Sequence, residues 1–62
     1  YHVGDLTGAV IHLTRYLEEA PADARALKLR GQAQISLGDK RAGEKDIIEA
    51  QKIQPDLFLD YI

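Results

Sequence analysis

The stretch ARALKLRGQAQISLGDKRAGEKDIIEAQKIQP, residues 24–55, decides the fold. It reads as two helical segments with clear punctuation between them. The first runs from Ala24 to about Leu37, with Asp23 as its N-cap. A carboxylate there accepts from the free N–H groups of the first turn. The small and apolar residues Ala26, Leu27, Gly31, Ala33 and Leu37 ask for a close neighbour, because Gly and Ala let another helix approach. Gly38 suits the left-handed position just past a helix end. Asp39 then caps a second segment, about Lys40 to Ile53. In that segment Gly43, Ile47, Ala50 and Ile53 face one side, while Arg41, Lys45, Glu49 and Lys52 face the other. Pro55 ends it, since proline lacks the N–H a helix interior needs.

The pattern extends outward in both directions. Upstream, Leu6, Ala9, Val10, Leu13, Tyr16 and Leu17 share one helical face about 120° wide. Arg15, Glu18 and Glu19 fall off that face. Gly4-Asp5 precedes the pattern, with Asp5 a good N-cap, and Pro21 follows it. Downstream, Asp56 is placed to cap a short fourth helix through Leu57, Phe58, Leu59 and Tyr61. There is no period-2 alternation and no Asn-Gly hairpin signal, so the chain is expected to be all-α.

The punctuation repeats. Gly4-Asp5 recurs as Gly38-Asp39, 34 residues on, and Pro21 recurs as Pro55 at the same offset. Ala9 maps onto Gly43 and Leu13 onto Ile47, preserving size class. A 34-residue period of helix–turn–helix is a repeat signature.

On these residues the chain resembles the tetratricopeptide repeat family, whose pattern is W-x2-L-G-x2-Y, then A-x3-F, then P. Here it reads Leu27-x2-Arg30-Gly31-x2-Gln34, then Gly43-x3-Ile47, then Pro55, with each spacing kept. Arg30 and Gln34 stand where the pattern has Leu and Tyr, and Gly43 where it has Ala. The resemblance implies antiparallel helical hairpins in a right-handed α-solenoid. It implies that residues 1–22 hold the second helix of a preceding repeat. Residues 23–55 would be one full hairpin, and residues 56–62 the start of a following or capping helix. Such repeats stack to complete their cores, and about three are usually needed. Ile11 and Ile48, off the main apolar faces of their helices, are expected to contact a neighbour in a stack.

Composition narrows the function classes. The chain has 62 residues, 6.9 kDa, no Cys, 45% hydrophobic and 29% charged residues. That is an ordinary globular balance, so wholesale disorder is not expected. A domain this small buries only about 60% of its unfolded surface, and no disulfide supplements its core. A chain opening on Tyr1 is expected to be processed or part of a longer one. No apolar run reaches the length of a membrane span, so membrane insertion is not expected, and a soluble, cytoplasmic protein is the default.

The net charge of −2 is unevenly distributed. Acidic residues dominate both ends, whereas Arg25, Lys28 and Arg30 make residues 24–37 basic with no acid. By helical angle, Arg25, Lys28, Leu29, Gln32, Ile35 and Ser36 are read as one face opposite Leu27, Gly31 and Gln34. In the family, the first helix of each repeat lines a concave groove that binds extended peptides or partner helices. In chaperone-binding members a Lys and an Asn one turn apart grip a C-terminal carboxylate, and Lys28 and Gln32 share that spacing. The expectation is therefore a non-catalytic interaction module. It would bind a protein or peptide that is acidic or has a free C-terminal carboxylate, through Arg25, Lys28, Leu29, Gln32, Ile35 and Ser36. The alternative is a self-assembly segment. In that reading the apolar tail Leu57, Phe58, Leu59, Tyr61 and Ile62 pairs or swaps with another copy.

Other chemistries lack their residues. His2 and His12 are not at metal-ligand spacing, and Glu18-Glu19 diverge on a helix. Ser36 sits in no nucleophile motif, and the glycines form no phosphate loop. The basic helix carries no aromatic to stack on bases, so nucleic acid is not an expected partner. No enzyme activity, cofactor or metal is expected.

Overall fold

The computed structural model describes the backbone of residues 3–61 and the side chains of residues 5–59. Three α-helices follow one another: α1 (Val3–Glu19), α2 (Ala24–Ser36) and α3 (Lys40–Ile53). A closing 3-10 helix spans Pro55–Tyr61. The described residues are thus all-helical. α2 packs against both α1 and α3, and the 3-10 helix packs against α3.

The boundaries have local causes. Asp23 caps α2, its side chain accepting from the Ala26 N–H at 3.2 Å. Asp39 does the same for α3 through Ala42, at 3.3 Å. Between these helices Gly38 adopts φ +97°, the left-handed region that favours glycine. The Gly38 N–H donates to the Ile35 carbonyl at 3.0 Å and the Asp39 N–H to the Gln34 carbonyl at 2.8 Å. This is a Schellman closure, which satisfies carbonyls the helix end leaves without partners.

The upstream Gly-Asp pair behaves differently. Gly4 and Asp5 lie inside α1, which is already helical at Val3, so Asp5 is a first-turn residue and not an N-cap. An aspartate is favourable in either place, because both put negative charge at the positive end of the helix. The 34-residue match of the two Gly-Asp pairs is therefore not a match of two turns. Similarly, Pro55 opens the 3-10 helix, which places Asp56 within it rather than ahead of it. Proline is compatible with a first helical position, where its missing N–H would have had no partner.

The core is small. Leu17, Ala24, Ala26, Leu27 and Ala50 form it, with Leu13, Leu57 and Phe58 packed at its edge. The Leu57–Phe58 part of the apolar tail is thus half-buried within the chain. Leu59 remains 58% exposed, and the side chains of Tyr61 and Ile62 lie outside the described residues. Ile11 and Ile48 are both more than half exposed.

The α2–α3 pair is the closest contact. A Cβ built on Gly31 would meet the Gly43 carbonyl oxygen at 2.7 Å and Ile47 Cγ1 at 2.7 Å. A Cβ on Gly43 would meet the Gly31 carbonyl oxygen and Ile35 Cγ1, each at 2.5 Å. The two glycines remove the side chains that would hold the backbones apart.

A polar network crosses the same hairpin. Arg30 makes a bidentate pair with Asp46, Nε to Oδ2 at 2.7 Å and Nη2 to Oδ1 at 2.9 Å. Its third arm, Nη1, donates to Thr14 Oγ1 at 3.3 Å, and the Thr14 hydroxyl donates to the Val10 carbonyl at 2.7 Å. The Gln34 amide, in the orientation that satisfies its neighbours, donates to Asp46 Oδ2 at 2.9 Å and to the Ala42 carbonyl at 3.2 Å. Asp46 is buried, yet among the described residues no buried side-chain polar atom lacks a partner. Two of the departures from the repeat pattern, Arg30 and Gln34, thus converge on one carboxylate.

Candidate functional site

The apolar stripe of α1 is longer than the fold consumes. Of Leu6, Ala9, Val10, Leu13, Tyr16 and Leu17, Leu17 alone is buried. Leu6, Ala9 and Leu13 instead form one wall of an open groove between α1 and α2. His12 joins that wall. The facing wall is Leu29, Gln32, Ala33 and Ser36 of α2, and the groove encloses about 440 Å³. Its surface is mainly apolar, with the polar groups of His12, Gln32 and Ser36 set among aliphatic ones. A concave apolar surface with a few convergent polar groups is the usual form of a binding site.

A second recess of about 390 Å³ adjoins it, lined by Arg25, Lys28, Leu29, Gln32, Asp56 and Leu57. Leu29 and Gln32 line both, so the two form a continuous track along α2. The track is apolar toward Ser36 and charged toward Arg25, where Arg25 and Lys28 stand together with Asp56.

The residues expected to form the site therefore divide. Leu29, Gln32 and Ser36 line the groove, and Arg25 is exposed at its far end. Lys28 is engaged within the chain: its Nζ donates to the Leu57 carbonyl at 2.8 Å and lies 5.0 Å from the Phe58 ring centroid. The closing 3-10 helix takes up the cation that the Lys28–Gln32 spacing offered to a ligand carboxylate. Ile35 departs from the face assigned to it. It packs over Gly43 on the α3 side, because it follows Gly31 by one helical turn and so shares Gly31's face. Arg30, counted among the basic residues of this helix, spends its charge internally on Asp46.

Leu6, Ala9, His12, Leu13 and Ala33 were not among the expected groove residues. Of these, Ala9 and Leu13 alone carried a sequence signal, the 34-residue offset that pairs them with Gly43 and Ile47.

At the α1–α2 junction, the Tyr16 hydroxyl donates to Asp23 Oδ2, the carboxylate that also caps α2. The hydrogen bond from Tyr16, then that from the Ala26 N–H, holds the Asp23 carboxyl below its ordinary value. The same bond to Asp23 pushes the Tyr16 phenol up. Arg30 is likewise raised by its hydrogen bonds to Asp46.

Among the described residues no cluster of metal-ligating side chains occurs, and His2 lies outside them. No described helix is long and apolar enough to cross a membrane. Comparison with protein-family models, with curated proteins and with solved structures returned no match.

Proposed function

We propose that this chain is a non-catalytic protein-interaction module of tetratricopeptide-repeat type, which binds a protein segment in the α1–α2 groove. One observation carries the reading. Leu6, Ala9 and Leu13 of α1 line an open groove together with Leu29 and Ala33 of α2. The helix order, the close Gly31–Gly43 hairpin and the 34-residue offset support the repeat architecture. Arg25, at the far end of the track, favours a ligand with an acidic residue or free carboxylate there.

The test is a titration of the 15N-labelled chain with synthetic peptides that combine aliphatic residues with an acidic end. The expected result is shifting of the Leu6, Ala9, Leu13, Leu29 and Ala33 amides, with a further shift at Arg25. Peptide binding that leaves these amides unmoved, or no binding across the panel, overturns the reading.

A second reading is self-association, favoured by the exposure of Ile11, Ile48 and Leu59, each above half. Sedimentation equilibrium separates it. A concentration-dependent mass, reduced by Ile48→Lys or Leu59→Lys, supports assembly; a monomer at all concentrations removes it.

A further inference from the structure

α2 lies between two helices that offer it surfaces of the same size pattern. Short linkers join it to both, residues 20–23 to α1 and residues 37–39 to α3, and either length closes a helical hairpin. α2 turns its Gly31 face to α3, where it meets Gly43, Asp46 and Ile47. Thirty-four residues earlier, α1 carries Ala9, His12 and Leu13. The first of these positions is small in both helices, and the third is a branched aliphatic in both. Side-chain size alone therefore leaves open which neighbour receives the glycine face of α2.

Polar chemistry distinguishes the two. Arg30 stands directly before Gly31, and its three guanidinium nitrogens all have partners. Nε and Nη2 donate to the Asp46 carboxylate of α3, and Nη1 donates to Thr14 Oγ1 of α1. Gln34, one turn further on, donates to the same carboxylate. At the 34-residue offset His12 corresponds to Asp46, and Thr14 to Ile48. With its neighbours exchanged, Arg30 would meet an imidazole on one side and an aliphatic chain on the other. A neutral imidazole accepts one hydrogen bond and a protonated one accepts none. Neither replaces a carboxylate that takes up Nε, Nη2 and the Gln34 amide together. Ile48 offers the third nitrogen nothing. The exchanged arrangement thus strands a guanidinium whose side chain is only 20% exposed. The repeat pattern has Leu and Tyr where Arg30 and Gln34 stand, so this cluster belongs to the chain and not to the pattern.

We propose that Arg30 is a pairing key: by engaging Asp46 on α3 and Thr14 on α1 together, it determines which neighbour takes the Gly31 face of α2. Its role is a choice between two arrangements more than added stability. A buried ion pair contributes little over apolar residues of similar volume, and its best-attested use is to set register. The choice leaves Leu29 and Gln32 exposed on the remaining surface of α2. It holds whatever ligand that surface takes.

The test follows through-space NMR contacts of the Gly31 protons in the labelled intact chain and two variants. The intact chain should give one set of Gly31 signals, with contacts to Gly43. The first variant exchanges the partners of Arg30 without changing composition: His12→Asp, Thr14→Ile, Asp46→His and Ile48→Thr together. Its Gly31 contacts should move from Gly43 to Ala9. The second variant, Arg30→Leu with Asp46→Leu, removes the key and keeps the apolar pattern. It should remain helical by circular dichroism and show two sets of Gly31 signals, one with contacts to Gly43 and one with contacts to Ala9.

Retention of the Gly31–Gly43 contacts alone in the exchange variant overturns the proposal. So does a single native set in the leucine variant, because apolar packing then makes the choice unaided. If the exchange variant does not fold, the leucine variant decides. A leucine variant that does not fold also overturns the proposal, since the pair is then a condition of stability and not of choice.

Discussion

Gly31 and Gly43 oppose each other across α2 and α3 so closely that a Cβ on either would stand 2.7 or 2.5 Å from the other's carbonyl oxygen. Two opposing effects meet at Gly43. In a helix interior glycine costs about 1 kcal/mol of propensity against alanine. Its Cβ, however, would strike backbone, and backbone cannot move without separating the helices. Overpacking of this kind costs about 1–3 kcal/mol.

Gly43→Ala is therefore expected to destabilise the chain despite the better helix former. The repeat pattern it resembles has Ala at this position, so a consensus argument expects the opposite sign. Urea unfolding followed by circular dichroism measures it; a raised midpoint would show that the two helices separate enough to admit the added Cβ.

The Arg30–Asp46 pair calls for a cycle rather than a single change. Both partners are mostly buried, with side-chain exposures of 20% and 11%. Removing one leaves the other desolvated without compensation, at a cost of about 1.5–3 kcal/mol for a hydrogen bond to a charged group. Arg30→Leu strands Asp46 with Gln34 alone, and Asp46→Leu strands Arg30 with Thr14. The double variant removes both charges and should recover a good part of the loss, since apolar replacements of an ion pair are often tolerated. Additive losses in the double variant would deny the coupling.

Much of the fold was legible before the structure. The α2 and α3 boundaries follow from Asp23, Gly38, Asp39 and Pro55, because caps and terminators are local devices. The close hairpin was legible in Gly31 and Gly43. The Arg30–Asp46–Gln34 cluster was not, because its members are brought together by hairpin register across 16 residues of chain and no local spacing reports it. Arg30 therefore looked like surface charge. Gly4-Asp5 misled because the pair is compatible with both a turn and a first helical turn. Half of the candidate site was legible, in Leu29, Gln32 and Ser36. The α1 half was hidden because a stripe facing an open groove has the same periodicity as one facing a core. The internal partners of Lys28 were hidden for a different reason: the closing 3-10 helix folds back onto it, and that is a tertiary contact.

Lys28 links α2 to the 3-10 helix through the Leu57 carbonyl and the Phe58 ring. A cation over an aromatic face contributes about 0.5–1 kcal/mol at exposed sites, and the hydrogen bond a similar amount. Lys28→Leu keeps the aliphatic stem and loses both. Hydrogen exchange at Leu57–Leu59 should quicken severalfold while exchange within α2 is unchanged. Equal exchange in the two chains would mean that apolar packing of Leu57 and Phe58 alone holds the segment.

The Tyr16–Asp23 bond makes stability depend on pH at both ends of the scale. Asp23 is held below its ordinary value by the Tyr16 hydroxyl and then the Ala26 N–H, so its contribution is complete above the unfolded carboxylate value, about 4. It is lost as pH falls through the lower folded value, because protonation then removes the acceptor from both donors. Tyr16 is raised by the same bond, so its contribution is complete below the unfolded phenol value, about 10. It is lost as pH rises through the folded value, because the phenolate no longer donates and repels the carboxylate. Tyr16→Phe should abolish the Tyr16 contribution at the alkaline edge. It should weaken the acid edge without removing it, since Ala26 still donates to Asp23. Thermal midpoints of the two chains, compared from pH 2 to 11, should differ most between these edges and converge outside them. A constant difference across the whole range would assign the effect of Tyr16 to its ring packing instead of its hydroxyl.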